Sequence, residues 1–260
     1  MNLQVLVATM HQNDYSLLEK MNICSDAIIA NQCDRNEITE FDYNGHKIKY
    51  LSFSERGVGL NRNNALMRAT AEICLFGDDD VRYVDNYKDI ILEAFQKNPK
   101  ADMIVFNVTS TNTKRRGYEI KKEKRVRSYN CLRYGTFRMA VKTDSIRKAN
   151  IYFSLLFGGG AKYGSGEDSL FIMECIKKGC RVYASPKVLG TVTHNESTWF
   201  KGYTDKYFID RGALYALLGK RFASLLCLQF CIRHRNIFKD SKTWLEAYRL
   251  MLKGIKEMKG

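Results

Sequence analysis

Short apolar runs alternate with helical patterns through the first part of this chain. Apolar runs bounded by polar turn residues predict buried β-strands at residues 3–8, 27–30, 48–53, 73–76 and 103–108. Apolar residues three or four positions apart predict helices at residues 14–21, 60–71 and 84–97. Elements that alternate in this way predict an α/β fold, in which helices flank a mixed, mostly parallel sheet.

The second half continues the sheet and then becomes helical. Further strands are predicted at residues 137–141, 181–184 and 188–192, and a helix at residues 167–178. The apolar segment 151–157 fits neither the helix pattern nor the strand pattern. A glycine-rich loop follows it up to Gly166. Helical patterns dominate from residue 205. We therefore expect a main domain over residues 1–204 and a helical C-terminal extension over residues 205–260.

The last predicted helix is amphipathic and basic. Asp240 or Ser241 is expected to cap it. Its apolar face consists of Trp244, Tyr248, Met251 and Ile255. A basic amphipathic helix can lie on an anionic membrane, and it can equally pack against the main domain. The apolar run 222–232 is too short to cross a bilayer.

Three consecutive acids, Asp78-Asp79-Asp80, follow the predicted strand at 73–76. Grouped carboxylates at the end of a buried strand are costly unless a cation neutralises them. Oxygen ligands on so short a span suit Mg²⁺ or Mn²⁺, which usually take substrate phosphates as further ligands. A solvated acidic turn is the alternative. We call Asp78–Asp80 the acid triplet.

Polar residues end other predicted strands at the same edge of the sheet. Thr9 ends the first strand, and Asp34 closely follows the second. Ligands of open α/β sheets bind beyond the carboxyl ends of the strands. The chain therefore predicts one crevice that brings Thr9, Asp34 and the acid triplet together.

A second acid pair, Glu167-Asp168, opens a predicted helix directly after Gly166. The helix dipole favours ionised acids there, and an ionised Asp within reach of a hydroxyl can act as a general base. Capping of the helix is the structural alternative.

Two single residues carry weaker signals. His194 follows a strand and could complete a metal site or contact a diphosphate, or it could be a hydrogen-bonded structural histidine. Arg62 opens a predicted helix and could bind a phosphate with its guanidinium fork, or it could be an ordinary surface arginine.

The formal net charge of +14 indicates anionic partners, such as nucleotide phosphates, nucleic acid or an anionic membrane. Many of the basic residues lie in the segment 111–127, which reads as a solvated loop or as a clamp for an anionic acceptor.

The eight cysteines show no Cys-x-x-Cys pair, so we expect reduced core cysteines and no zinc site. No signal-peptide pattern is found. We expect a cytoplasmic protein, located at the inner face of the membrane if the basic helix binds lipid.

Together these motifs resemble family 2 glycosyltransferases of the GT-A fold. The resemblance covers roughly residues 1–200. Its motifs occur in the family's order: Thr9 at the end of the first strand, Arg62-Asn63-x-Ala65, Phe76-Gly77-Asp78-Asp79-Asp80, Gly166-Glu167-Asp168 and the strand before His194. The block 194–203 is similar to a subgroup found with bacterial polysaccharide genes.

The resemblance implies a function. It implies a nucleotide-sugar donor, often a UDP-sugar, a divalent metal, and direct displacement with inversion. Asp78 and Asp80 would serve metal and diphosphate, Asp168 would be the base, and Glu167 would meet the acceptor. Donor-binding residues would be Thr9, Asp34, Arg62, Asp78 and Asp79, and metal ligands would be Asp78, Asp80 and His194.

The nucleoside contacts depart from the family pattern. The family's proline and asparagine after the first strand are replaced by Thr9-Met10-His11-Gln12. Its Asp-Gly-Ser-x-Asp after the second strand is replaced by Asn31-Gln32-Cys33-Asp34.

The expected activity is metal-dependent, hexosyltransferase-like transfer of a sugar to an acceptor hydroxyl in polysaccharide or glycolipid synthesis. The cofactor would be Mn²⁺ or Mg²⁺, and the acceptor a saccharide or a lipid-linked saccharide. Two alternatives stay open. A sugar nucleotidyltransferase would release pyrophosphate, and the Glu167-Asp168 helix start disfavours it. A basic nucleic-acid-binding protein fits the net charge, but no binding motif is present and we expect no nucleic-acid partner.

Overall fold

The computed structural model describes residues 1–112, 117–193 and 202–259. The strands are β1 Leu3–Met10, β2 Asp26–Gln32, β3 Glu37–Tyr43, β4 His46–Phe53, β5 Ile73–Asp78, β6 Val81–Tyr83, β7 Met103–Ser110, β8 Lys124–Arg125, β9 Met139–Lys142 and β10 Val182–Val192. The α-helices are α1 Leu17–Lys20, α2 Val58–Arg68, α3 Tyr87–Lys97, α4 Thr143–Lys148, α5 Glu167–Lys177, α6 Asp205–Gly219, α7 Ala223–Phe238 and α8 Trp244–Lys259.

Within the described residues all strands join one mixed sheet, in the order β3-β4-β2-β1-β5-β9-β7-β10-β6, with β8 paired to β10. Strands β4, β2, β1 and β5 run parallel to one another, and β10 runs parallel to β7. Strand β9 is antiparallel to both β5 and β7. The carboxyl ends of β1, β2 and β5 therefore lie at one edge of the sheet.

The sheet is buried on both faces. Alternate residues of β1 enter different clusters of the core, with Leu6 on one face and Val5 and Val7 on the other. A strand covered on both faces needs apolar residues at successive positions, which explains why β1, β2, β5 and β7 were predictable as continuous apolar runs.

Four strands differ from the prediction, and two of them, the short strands β6 and β8, have no counterpart in it. β3 was not predicted, because its exposed positions break the apolar run and it lies at the edge of the sheet. The segments 181–184 and 188–192 were predicted as two strands but form the single strand β10. Its pairing with β7 shifts register between Ala184 and Val188. Pro186 lies inside that irregularity, where a proline without an N–H is tolerated.

The helices of the main domain largely confirm the predicted pattern. Helix α1 is shorter than predicted, although Leu17, Leu18 and Met21 are buried as expected. The ambiguous segment 151–157 belongs to neither a helix nor a named strand. Two hydrogen bonds fix it to α2: Asn63 Nδ2 donates to the Phe153 carbonyl at 2.9 Å, and the Phe153 N–H donates to Asn63 Oδ1 at 2.8 Å.

Helix α6 begins at Asp205, where the helical extension was expected, and the Thr204 side chain caps it by accepting from the Tyr207 N–H. The prediction that Asp240 or Ser241 caps helix α8 is wrong. Thr243 Oγ1 and Glu246 form a reciprocal capping box instead. Most of the apolar face of α8 packs into the protein, with Met251 and Ile255 buried in the C-terminal core, whereas Trp244 is exposed.

Close backbone contact holds α6 and α8 together. A side chain at Gly212 would collide with the Met251 backbone, and one at Gly254 would collide with the Ile209 backbone. Glycine at both positions lets the helices approach more closely than other residues allow.

The segment Asp205–Phe238 is long and apolar enough to cross a membrane by length and composition alone. It is not one continuous helix. A short 3₁₀ turn begins at Lys220, whose φ of 46° ends α6. Helices α6 and α7 then pack against each other and against α8. The segment therefore forms two helices of a small bundle.

The C-terminal helices also pack on the glycine-rich loop. Asp210 Oδ2 accepts from the Gly164 N–H at 2.8 Å, and Lys206 Nζ donates to the Lys162 carbonyl at 2.7 Å. Phe157, Tyr163 and Leu214 share a buried cluster. Helix α6 thus supports the loop that leads into Glu167 and Asp168.

Candidate active site

The acid triplet lies at the carboxyl end of β5, as predicted. Asp78 is the last residue of β5 and pairs in register with Ala8 of β1, one residue before Thr9. The Asp80 carbonyl accepts from the Thr193 N–H at 3.1 Å, directly after β10. The triplet is thus fixed between the ends of β1 and β10 and is not a solvated surface turn.

Arg62 connects the triplet to the second acid pair. Its Nη2 lies 2.8 Å from Asp78 Oδ1, and its Nη1 lies 2.9 Å from Glu167 Oε1. Only 6% of the Arg62 side chain is exposed, so the surface-arginine reading is wrong. Both ends of the guanidinium fork are engaged by carboxylates.

The charge of Arg62 is maintained by these partners. Burial favours its neutral form, but Asp78 and Glu167 together raise the pKa of Arg62 above its ordinary value. The guanidinium carbon also lies 5.5 Å from the centre of the Phe153 ring. The two ion pairs therefore form a fixed connection from β5 through α2 to α5.

Arg62 points inward because a run of polar residues on α2 is buried. Asn61 Nδ2 donates to the Ala30 carbonyl at 2.9 Å, and Asn64 Nδ2 donates to Glu55 Oε1 at 2.6 Å. Asn63 holds Phe153, as described above. Asparagine amides satisfy neighbouring polar groups well, so this turn of α2 is a polar framework. The spacing of apolar residues in the sequence could not predict that these polar side chains are buried.

Asp79 is oriented by Thr9. Thr9 Oγ1 donates to Asp79 Oδ2 at 2.6 Å and accepts from Gln12 Nε2 at 3.0 Å. The two predicted residues therefore do meet, and Gln12 joins them. Gln12 is further fixed by Asn31, whose Oδ1 accepts from the Gln12 N–H at 3.0 Å. Sequence reasoning missed both amides, although they follow strand ends.

A cavity of about 370 Å³ lies beside Thr9, at the ends of β1 and β2. It is lined by His11, Asn13, Cys33, Asp34 and Arg35. Asp34 therefore lies in the predicted crevice, where its Oδ1 accepts from Arg56 at 2.8 Å. His11 also lines this cavity. The cavity is within the size range of small-molecule sites.

Glu167 and Asp168 open α5 as predicted, and their environments differ. Glu167 is fully engaged: Oε1 binds Arg62, and Oε2 accepts from the Gly166 N–H at 3.1 Å. Asp168 Oδ1 accepts from the Ser169 N–H at 2.6 Å. Among the described residues, no hydrogen-bond donor reaches the second oxygen of Asp168. Glu167 is therefore a structural anchor, and Asp168 keeps an oxygen available for proton transfer.

The pKa of Asp168 is raised from 3.8 to about 7, first because burial penalises the charged carboxylate and then because Glu167 is close. The Ser169 N–H and Arg62 oppose this shift. A base with a pKa near neutrality is well matched to proton abstraction at physiological pH.

Asp80 also has a raised pKa, of about 6, because of burial and of the charges on Asp78 and Asp79. Excess negative charge of this kind is relieved by a cation. Within the described residues, no three His, Cys, Asp or Glu side chains are already arranged as a closed metal site. The predicted ligand His194 lies outside the described residues. The donor set fits a divalent cation held partly by substrate phosphates.

Comparisons with known proteins agree with this geometry. The family model "Glycosyl transferase family 2" matches residues 27–155. A crystal structure of S. aureus TarS 1–349 in complex with UDP-GlcNAc is 18% identical, with a TM-score of 0.65, and covers 98% of this chain and 82% of that chain. A second TarS 1–349 structure is 17% identical, with a TM-score of 0.64, at 99% and 82% coverage. No match was found among curated protein sequences.

The two lines of comparison support different statements. The likeness to TarS shows the fold, a mixed sheet flanked by helices with helices at the C-terminus. The family match spans β2 to the segment before the glycine-rich loop, and so includes the acid triplet and Arg62. Residues 27–155 of the chain, about half of its length, thus match glycosyl transferase family 2, and the chain has the GT-A fold.

Proposed function

We propose that this protein is an inverting glycosyltransferase that moves a sugar from a nucleotide-sugar to an acceptor hydroxyl. The observation that carries the proposal is the Asp78–Arg62–Glu167 connection. It holds the start of α5, and with it Asp168, against the acid triplet. A general base thus neighbours a site suited to a leaving diphosphate, and displacement at an anomeric carbon requires both groups.

The donor we propose is a UDP-sugar. The similar TarS 1–349 structure is a complex with UDP-GlcNAc. In this chain the cavity beside Thr9 would take the nucleoside, with His11, Asn13, Asp34 and Arg35 on its walls. The diphosphate would then lie towards the acid triplet. Arg62 is not proposed as a phosphate ligand, because Asp78 and Glu167 occupy its guanidinium.

A divalent cation, Mn²⁺ or Mg²⁺, would be held by Asp80 and Asp78. When bound, it would stabilise the negative charge that develops on the departing diphosphate. Thr9 fixes the neighbouring carboxylate of Asp79. Arg62 neutralises part of the charge of Asp78, so the triplet binds a cation without carrying three unbalanced charges.

Asp168 would remove the proton of the acceptor hydroxyl as its oxygen attacks the anomeric carbon. Attack comes from the face opposite the leaving diphosphate, which inverts the configuration. Glu167 keeps the turn of α5 in place through Arg62 and Gly166. The proposed acceptor is a saccharide or lipid-linked saccharide in polysaccharide or glycolipid synthesis.

Asp80→Asn tests the donor and metal site. We expect the variant to lose Mn²⁺-dependent binding of UDP-GlcNAc and UDP release by about a hundredfold, since a bound metal contributes several kcal/mol to stabilising the leaving group. Titration calorimetry with and without EDTA measures binding. Below pH 6 the wild-type affinity should also fall, because protons compete for Asp80.

The control is Asp89→Asn, which removes an exposed acid on α3 with the same change of charge. It should bind and turn over as the wild type does.

NMR of the product should show inversion at the anomeric carbon. Retention of configuration, or full donor binding and turnover in EDTA, would falsify the mechanism proposed here.

We also propose that the protein contacts an anionic membrane at its cytoplasmic face, through α7. The sequence left α8 open between this role and packing against the protein, and in the structure Met251 and Ile255 of its apolar face are buried. Helix α7 and the turn before it expose large apolar side chains: Phe222, Leu225, Ile232 and Ile237. Cationic residues flank them: Lys220, Arg221, Arg233, Arg235 and Lys239. All eight cysteines are free, as is typical of a reducing compartment.

Leu225→Glu/Ile232→Glu tests the membrane contact. We expect the double variant to bind phosphatidylserine-containing vesicles at least tenfold more weakly, because each lost side chain removes roughly 1.5–3 kcal/mol of apolar burial at most. The control, Asn86→Glu/Gln96→Glu, makes the same charge change at exposed polar positions beside and on α3, away from α7. Equal vesicle sedimentation by both variants contradicts a role for the apolar face.

A further inference from the structure

A second cavity lies at the opposite end of the sheet from the acid triplet. It has a volume of about 410 Å³ and is lined by Lys100, Arg125, Arg127, Arg181 and Tyr183. Arg181 directly precedes β10, Lys100 lies three residues before the start of β7, and Arg125 lies on β8. We call this cavity the basic pocket. It therefore opens where the parallel strands β7 and β10 begin.

The lining of the basic pocket contains four cations and no acid. Within the described part of the chain, none of these four side chains forms an ion pair with a carboxylate. The Arg125 guanidinium carbon lies 4.9 Å from the centre of the Tyr183 ring, which fixes one wall. Four like charges around one cavity repel one another, so an anion that enters it relieves this repulsion.

A nearby carboxylate, Asp102, is already engaged. Its Oδ1 accepts from Ser145 Oγ at 2.6 Å, and its Oδ2 accepts from the Arg181 N–H at 2.7 Å. Asp102 thus positions the backbone of Arg181 and leaves the Arg181 side chain to the pocket. The arrangement resembles the arginine clusters that bind phosphoryl groups through several charge-assisted hydrogen bonds.

The basic pocket is far from the donor site. Strand β10 begins beside the pocket and ends at Val192, next to Thr193, which binds the Asp80 carbonyl. A strand of this length spans about 35 Å at roughly 3.3 Å per residue. A ligand in the pocket therefore cannot be part of the donor diphosphate.

We propose that the basic pocket is a binding site for a phosphoryl group with two negative charges. Three arginines offer planar forks that match phosphate oxygens, and a phosphomonoester carries nearly two charges at neutral pH. The segment 111–127, whose basic character the sequence left open between a solvated loop and an anion clamp, supplies two of the four cations. The ligand is either a soluble phosphorylated compound or a phosphomonoester lipid headgroup.

Arg127→Glu/Arg181→Glu tests the site, with inorganic pyrophosphate as the probe. Titration in EDTA keeps metal out of the acid triplet, which then repels the probe. We expect the variant to bind at least about tenfold more weakly than the wild type, because hydrogen bonds to charged groups are lost. The control, Lys121→Glu/Lys122→Glu, carries the same charge change on exposed lysines of the same segment outside the pocket.

Lys100→Gln/Arg127→Gln, with both side chains exposed, serves the same purpose if the first variant does not fold. The proposal is overturned if the wild type does not bind pyrophosphate, or if pocket variants and control bind equally. Vesicles of phosphatidylcholine with and without phosphatidic acid distinguish the sources. A phosphatidic-acid-dependent sedimentation that the pocket variant loses identifies a lipid headgroup, and sedimentation unchanged by the variant identifies a soluble ligand.

Discussion

Asp168→Asn should reduce sugar transfer by about 10²- to 10⁴-fold and leave donor binding unchanged. The amide has the shape of the carboxylate but cannot accept the acceptor proton, and general base catalysis contributes rate enhancement of that order. The hydrogen bond from the Ser169 N–H can persist to the amide oxygen. Initial rates of UDP release, together with calorimetric donor affinity, measure the two effects separately.

The pH profile sharpens this prediction. The wild-type rate should rise with pH through an apparent pKa of about 7, because Asp168 works only when ionised. The residual activity of Asp168→Asn should not show this rise with pH. Glu174→Gln is the matched control, since it changes a partly exposed acid six residues further along α5. Wild-type transfer by Asp168→Asn would show that another group takes the proton.

The ionised form of Asp168, which catalysis requires, lowers the stability of the fold. Its folded-state pKa is raised above 3.8, so folding favours its protonated form, and this contribution is lost as pH rises through about 7. Asp168→Asn should therefore melt at a higher temperature than the wild type at pH 8. At pH 4, where the wild-type carboxyl is also largely neutral, the difference should shrink.

Arg62→Met should destabilise the protein by about 3 kcal/mol, because it leaves the buried Glu167 and half-buried Asp78 without their cation. Urea unfolding at pH 8 measures this loss. Arg62→Met/Glu167→Gln should recover part of it, since one of the two unpaired charges is removed.

Arg56→Met provides the comparison for Arg62→Met. Its partner Asp34 has 88% of its side chain exposed, and exposed ion pairs contribute about 1 kcal/mol or less. A cost equal to that of Arg62→Met would mean that burial of the Arg62 pairs has no special effect. A fully stable Arg62→Met protein would contradict the connection between the triplet and α5.

The sequence predicted those parts of the fold that depend on local pattern. Continuous apolar runs predicted β1, β2, β5 and β7. Apolar residues three or four positions apart predicted α2, α3 and α5. The edge strand β3 was missed because its alternation is mostly polar. The bulge that joins the two halves of β10 depends on pairing with β7, which no local pattern contains.

The site was predictable at strand ends and helix starts. Thr9, Asp34, the acid triplet and the Glu167-Asp168 pair all lie where strand ends and a helix start were expected. The role of Arg62 was not predictable, because a basic residue on a helix is usually exposed, and its burial depends on Asn61, Asn63 and Asn64. The sequence left α8 open between membrane contact and packing against the protein, because an amphipathic helix has the same pattern whether lipid or protein covers it. In the structure α8 packs on α6 and α7.

Gly166 and Leu214 show how the C-terminal helices limit change at the site. Gly166 has a φ of 120°, and a side chain there would meet the Leu214 side chain. Two independent constraints, backbone conformation and the position of α6, thus exclude larger residues at position 166. Mutational tolerance is therefore asymmetric: Leu214 can become smaller at the cost of a cavity, whereas Gly166 cannot become larger. Substitutions at Gly166 are therefore limited by Leu214, although Gly166 lies in the predicted main domain and Leu214 in the predicted C-terminal extension.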